Sequence, residues 1–215
     1  MSGDDATHRR HTRASSAGSP PRLGSLSGLR SPLVIDWFDP EPARVAERLA
    51  PLGLAADAAG TIALDGAILR IRAADGPSLL AIDATVARPP VPIAWKIRVR
   101  LLALGVATVD GERFLADHPG LDAARAGDDE HLGARSWLGG GSPRVLVLEP
   151  ATEGPLAATL ARLGEGPVAI YLGGIARGMA GRMARGPLGR EVLLPGGPTW
   201  GPHVLVVEAG GNISP

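Results

Sequence analysis

From Leu33 onward the chain alternates short apolar runs with polar or Gly/Pro-rich breaks, and the period of each run assigns it to an element. Leu33 to Phe38 (L-V-I-D-W-F) reads as a strand, Asp39 as an N-cap ahead of Pro40, and Glu41 onward as a helix closed by Gly53. Three strand-like pieces follow: Thr61 to Leu64, Ala67 to Ala73 and Leu79 to Val86, with Asp65-Gly66 as the turn between the first two. In the second piece Leu69 and Ile71 alternate with Arg70 and Arg72. The order is β-α-β-β-β. A Pro-rich joint at 87–92 then disfavours helix and separates this unit from the rest of the chain.

The same order recurs. A long strand is predicted from Ile93 to Val109, with Ile97, Val99 and Leu101 opposite Lys96, Arg98 and Arg100. After it come a short helix (Gly111 to His118), a polar loop from Gly120 to Asp129, a strand over His131 to Leu138, the Gly139-Gly140-Gly141 turn and a strand over Arg144 to Leu148. One amphipathic helix carries Leu156, Leu160 and Leu163 at i, i+4 and i+7. The third run starts with the strand Val168 to Leu172 and continues through a short helix with Ile175, Met179 and Met183. It ends with the strands Arg190 to Leu194 and His203 to Val207. The repeated unit is roughly 55 residues long.

Composition adds constraints. The 215 residues are 45% hydrophobic with mean hydropathy +0.11, and no apolar run approaches the length of a membrane-spanning helix. The 30 glycines and 20 prolines shorten the regular elements. Zero cysteines exclude disulfides, thiol catalysis and thiolate metal ligands. Residues 1–31 are rich in Ser, Gly, Pro and Arg and read as a disordered tail. The start has no export-signal pattern, so a cytoplasmic location is expected. The tail carries five arginines against Asp4 and Asp5, a surplus read as an unselected extension, with no nucleic-acid partner expected. The expected organisation is this tail, an N-terminal β-α-β-β-β module at 32–90, and a paired-module region at 91–211.

Several chemistries lack their signatures. Gly139 to Gly141 is not followed by Lys-Ser/Thr, and no Gly-x-Ser-x-Gly elbow is present. Asp128, Asp129, Glu130 and His131 are metal-capable but consecutive in a polar loop, which reads as a solvated turn and not a converging ligand set.

Leu102 to Asp110, Leu146 to Gly166 and His203 to Glu208 resemble the first strand, the inter-module connection and the last strand of the vicinal oxygen chelate superfamily. Among its glyoxalases, extradiol dioxygenases, bleomycin-resistance proteins and epimerases, the motifs are most similar to methylmalonyl-CoA epimerase-like members. The resemblance implies an α+β fold of paired β-α-β-β-β modules, as glyoxalase-like curved sheets, around a cavity. There a divalent metal is commonly held by one residue from each of four strands. Those positions fall on Ala103, Leu146, Ala169 and Leu205, none of which can coordinate a cation.

No metal and no cofactor are therefore expected. The reading is a metal-free module binding a small apolar or aromatic molecule. Those four positions, with Trp137 and Trp200, are its expected ligand-binding residues. Alternation puts Tyr171 on the face of Ala169 and His203 on the face of Leu205. The alternative is a metal-independent isomerase or lyase in which His203 and Tyr171 transfer a proton. No membrane partner is expected. A homodimer is the expected partner of the odd third module if none exists within the chain.

Overall fold

The computed structural model describes residues 33–83, 99–151, 153–175, 181–197 and 201–208. The N-terminal unit comprises β1 (Leu33–Asp39), α1 (Pro42–Leu49), β2 (Thr61–Leu64), β3 (Ala67–Ala73) and β4 (Leu79–Asp83). The next run is β5 (Arg100–Ala107), α2 (Gly111–Asp117), β6 (Ala124–Asp129), β7 (Ala134–Gly139) and β8 (Arg144–Pro150). Helix α3 (Pro155–Leu163) leads to β9 (Gly166–Gly173), β10 (Met183–Gly186), β11 (Gly189–Leu193) and β12 (His203–Val207). Among the described residues no helix is long and apolar enough to cross a membrane.

Local chemistry explains most element ends. Pro42 opens α1, where its missing N–H costs no helical bond. The N-cap position is Glu41 and not the expected Asp39, which stands two residues earlier with its Oδ1 accepting the Glu41 N–H at 2.8 Å. Gly53, at φ 78, closes the turn after α1 in a conformation that favours glycine. Asp110 caps α2 by accepting the Arg113 N–H at 2.9 Å.

The larger sheet has the strand order β10-β11-β12-β9-β5-β8-β7-β6. In each half the first strand runs parallel to the last, β5 beside β8 and β9 beside β12. The halves join where β5 meets β9 antiparallel. This is the expected α+β fold of paired β-α-β-β-β modules.

The N-terminal unit has the same element order but different wiring. Its sheet runs β2-β3-β1-β4, with β1 parallel to β3 and antiparallel to β4. The tight turn at Asp65-Gly66 holds β3 beside β2, and β3 also takes the place next to β1, so β4 is left for the far edge. Element order is a property of the chain; pairing is not.

Alternation divides the larger sheet into two buried faces. On one, Leu104, Ile170, Leu172, Val204 and Val206 cluster with Leu33, Ile35, Trp37, Leu49 and Leu69 of the N-terminal unit. Farther along the same sheet, Val106, Val145 and Val147 meet Phe114, Leu115 and Trp137 around α2. The N-terminal unit thus covers the second module as α2 covers the first, and the partner for its apolar face lies within its own chain. The other face carries Ala103, Leu146, Leu148, Ala169, Tyr171 and Leu205 beneath Leu156 of α3.

Two expectations change, and a third lies partly outside the described residues. Met183 begins β10 instead of ending a helix and Ile175 lies outside any helix, while Met179 is outside the described residues. The segment read as the loop Gly120 to Asp129 contains β6, an edge strand paired only to β7. A half-exposed edge needs no apolar alternation, so its polar sequence A-R-A-G-D-D hid it. The strand expected from Ile93 is described only from Arg100; the residues ahead of Val99, like the expected tail, lie outside the described residues.

Candidate functional site

Ala103, Leu146, Ala169 and Leu205 come together, one from each of β5, β8, β9 and β12. All four are 0% exposed within one apolar cluster. Packing there is close: a Cβ on Gly105 would lie 2.9 Å from both the Ala169 Cβ and a Leu148 methyl. The side chains present are alkyl groups with no lone pair, so the family's metal does not fit them. Among the described residues no group of three or more His, Asp or Glu stands ready to hold an ion elsewhere.

Tyr171 points into the same cluster and is fully buried. Its hydroxyl donates to Asp129 Oδ2 at 2.7 Å, while Asp129 Oδ1 accepts the Leu132 N–H at 2.8 Å. Asp129, at the end of β6, is 1% exposed. Beside it, Glu191 on β11 is 0% exposed, and neither of its oxygens meets an N–H or O–H donor among the described residues. A carboxylate so placed would be desolvated without compensation. Burial, and secondly the Asp129 charge, push the Glu191 pKa up to about 9; burial raises that of Asp129 too. The side chains interact directly, and a proton retained on one carboxyl supplies the donor that the other lacks. Burial, with the Asp129 charge second, lifts the Tyr171 phenol well above its ordinary value.

The Asp128 to His131 run is therefore not a solvated turn throughout. Asp128 is exposed and pairs with Arg125 at 2.7 Å, but Asp129 is a core residue. Its edge strand gave no apolar rhythm to reveal this. Glu191 was more legible, since in R-E-V-L alternation sets it on the face of Leu193, which packs against the cluster.

His203, 4% exposed, opens β12. Its Nε2 lies 3.1 Å from Thr159 Oγ1 on α3, and the Thr159 hydroxyl donates to Pro155 O at 2.8 Å. One hydroxyl hydrogen cannot serve both bonds, so His203 Nε2–H donates to Thr159 and Nδ1 is left as an acceptor. Burial first, and the Arg48 charge second, hold the imidazole neutral with a pKa of about 4. His203 lines a cavity of about 430 Å³ together with His131, Arg48, Arg182, Leu193 and Leu194. His131 Nε2 donates to Glu191 O at 3.2 Å, tying this wall to the buried acid pair. A second cavity of about 310 Å³ shares Arg48 and adds Trp37, Asp39, Arg44 and Arg162. Neither cavity is lined by Tyr171 or by any of the four family positions.

Trp137 stands elsewhere. Alternation sends Ser136 one way and Trp137 the other, onto Gly111 at the start of α2, where a side chain on the glycine would collide with the indole ring. The Arg125 guanidinium lies 5.2 Å from its ring centroid. It packs on the opposite face from Tyr171, which corrects its assignment to the ligand site. Trp200 is outside the described residues.

Paired modules with parallel first and last strands, joined through β5 and β9, define a glyoxalase-like α+β protein. A similar solved structure is Streptomyces coelicolor methylmalonyl-CoA epimerase in complex with 2-nitronate-propionyl-CoA. It is 20% identical over 51% of this chain and 98% of that chain, with a TM-score of 0.40. A hypothetical protein of Bacillus halodurans is 18% identical over 54% of this chain and 99% of that chain, with a TM-score of 0.43. A mutant of 4-hydroxymandelate synthase from Streptomyces coelicolor is 14% identical over 80% of this chain and 68% of that chain, with a TM-score of 0.36. No family model matches the sequence, and no curated protein matches it.

Proposed function

We propose that this protein binds a small molecule of mainly apolar body without a divalent metal at the four family positions, the ligand entering the cavity beside His203. The closed alkyl cluster of Ala103, Leu146, Ala169 and Leu205 carries this reading: it leaves neither donors for an ion nor an open wall, whereas His203 lines a real void. These four residues then act as packed floor, not as ligand contacts.

A metal-independent isomerase or lyase is the second reading, favoured by the proton held between Asp129 and Glu191. The groups assigned to proton transfer argue for binding instead. Tyr171 is locked as a donor, its phenol ionising only well above the ordinary range, and His203, neutral with a pKa of about 4, is a weak base.

The test combines metal analysis with thermal shift. Purified protein is expected to carry no stoichiometric metal and to melt unchanged after chelation, where a tight ion at one hundred times its Kd would contribute about 2.7 kcal/mol. Compounds that raise the melting temperature are expected to lose that effect in His203→Ala. One ion per chain whose removal lowers the melting temperature would overturn the metal-free reading; binders indifferent to His203 would overturn the site.

A further inference from the structure

Arg48 occupies the last turn of α1, and its guanidinium crosses from the N-terminal unit to the second module. There Nε donates to Pro195 O at 2.9 Å and Nη2 to Leu194 O at 2.8 Å. A guanidinium has five N–H donors, so three remain beyond these two bonds. Arg48 makes no ion pair among the described residues, although burial, opposed only by Asp39, lowers its pKa to about 10. This half-buried cation directs two of its donors to neutral carbonyls.

Gly197 is bare where the guanidinium lies: a Cβ there would run into its carbon and both terminal nitrogens. The larger cavity continues from Arg48 to Arg182, which likewise forms no ion pair among the described residues. No carboxylate is among the described residues lining that cavity, whereas the smaller one carries Asp39 and Glu41 beside its arginines. Leu193, Leu194, Pro155 and Pro195 give the wall an apolar stretch, beside the imidazoles of His131 and His203.

We propose that the larger cavity is a site for a small organic anion, an apolar body bearing a carboxylate or phosphate head that Arg48 and Arg182 hold between them. The proposal rests on the functional reading that this cavity takes a ligand, and adds the charge of that ligand. Two arginine forks suit an oxyanion, which accepts paired N–H bonds that no neutral head group satisfies as well. The site needs the N-terminal unit, because Arg48 comes from α1 and the opposing wall from the second module.

Calorimetric titration with hexanoate, hexanamide and inorganic phosphate tests it, with the two anions separating a carboxylate site from a phosphate site. Hexanoate or phosphate is expected to bind at least about tenfold more tightly than hexanamide. Arg182→Gln is expected to cost a similar factor, and Arg185→Gln, on the exposed surface outside the cavity, none. Gly197→Ala keeps every charge but displaces the Arg48 guanidinium, so it is expected to weaken the anion while unfolding stays cooperative. Hexanamide binding as well as hexanoate, with the variants indifferent, would overturn the anion assignment and leave the binding reading standing. Equal losses in Arg182→Gln and Arg185→Gln would reduce the effect to surface charge and overturn it as well. Failure of all three probes to bind would overturn the proposal and the binding reading together.

Discussion

Glu191 turns burial into a dependence on pH. Its folded pKa of about 9 stands above the ordinary 4.5, so the folded state keeps a proton that the unfolded chain releases. The stability this supplies is complete below the unfolded pKa and drains as pH rises toward the folded one, at no more than about 1.4 kcal/mol per pH unit for one proton. The raised Asp129 acts in the same direction. Denaturant unfolding at pH 5, 7 and 9 is expected to show a steady loss in the wild type and a flatter profile in Glu191→Gln, which keeps the shape and a donor. A flat wild-type profile would mean that the pair is ionised in the fold. Reading this pair from sequence was half feasible: alternation in R-E-V-L turns Glu191 inward, but nothing in A-R-A-G-D-D distinguishes Asp129 from its exposed neighbour Asp128.

Helix α3 shows how periodicity ranks positions within an element. Leu156, Leu160 and Leu163 share a stripe, yet Leu156 is buried in the sheet cluster while Leu160 and Leu163 are only half-buried. Leu156→Ala is expected to cost about 2–5 kcal/mol of unfolding free energy, as for other fully buried leucines, and Leu163→Ala clearly less. Equal losses at both sites would show that the helix is seated by its whole stripe and not by its first turn. At this scale the chain was largely legible, since α1, α3 and most strands follow their periods. Of the expected Ile175 to Met183 helix, Ile175 lies outside any helix and Met183 begins β10, the residues 176–180 between them lying outside the described residues.

The whole molecule depends on the N-terminal unit as a lid over half of the larger sheet. Leu101, Leu104, Ile170, Leu172, Val204 and Val206 share one core with Leu33, Ile35, Trp37 and Leu49. Arg48 reinforces the junction through two backbone carbonyls of the second module. A fragment beginning at residue 91 would expose this apolar face and is expected to be insoluble or associated on size-exclusion chromatography. A monomeric, cooperatively folding fragment would show that the unit is an appendage and that the paired modules need no cover.

The sequence by itself determined most of the element order, the inward and outward faces of the apolar strands, and the absence of any donor at Ala103, Leu146, Ala169 and Leu205. These are properties of side-chain identity and of spacing along a few residues. Only the tertiary structure decided that β1 pairs with β3 in the N-terminal unit, that Asp129 meets Glu191 and Tyr171, and that Arg48 reaches the wall of His203. Each of these joins residues far apart in the chain, and their energies come from burial and pairing that no local period encodes.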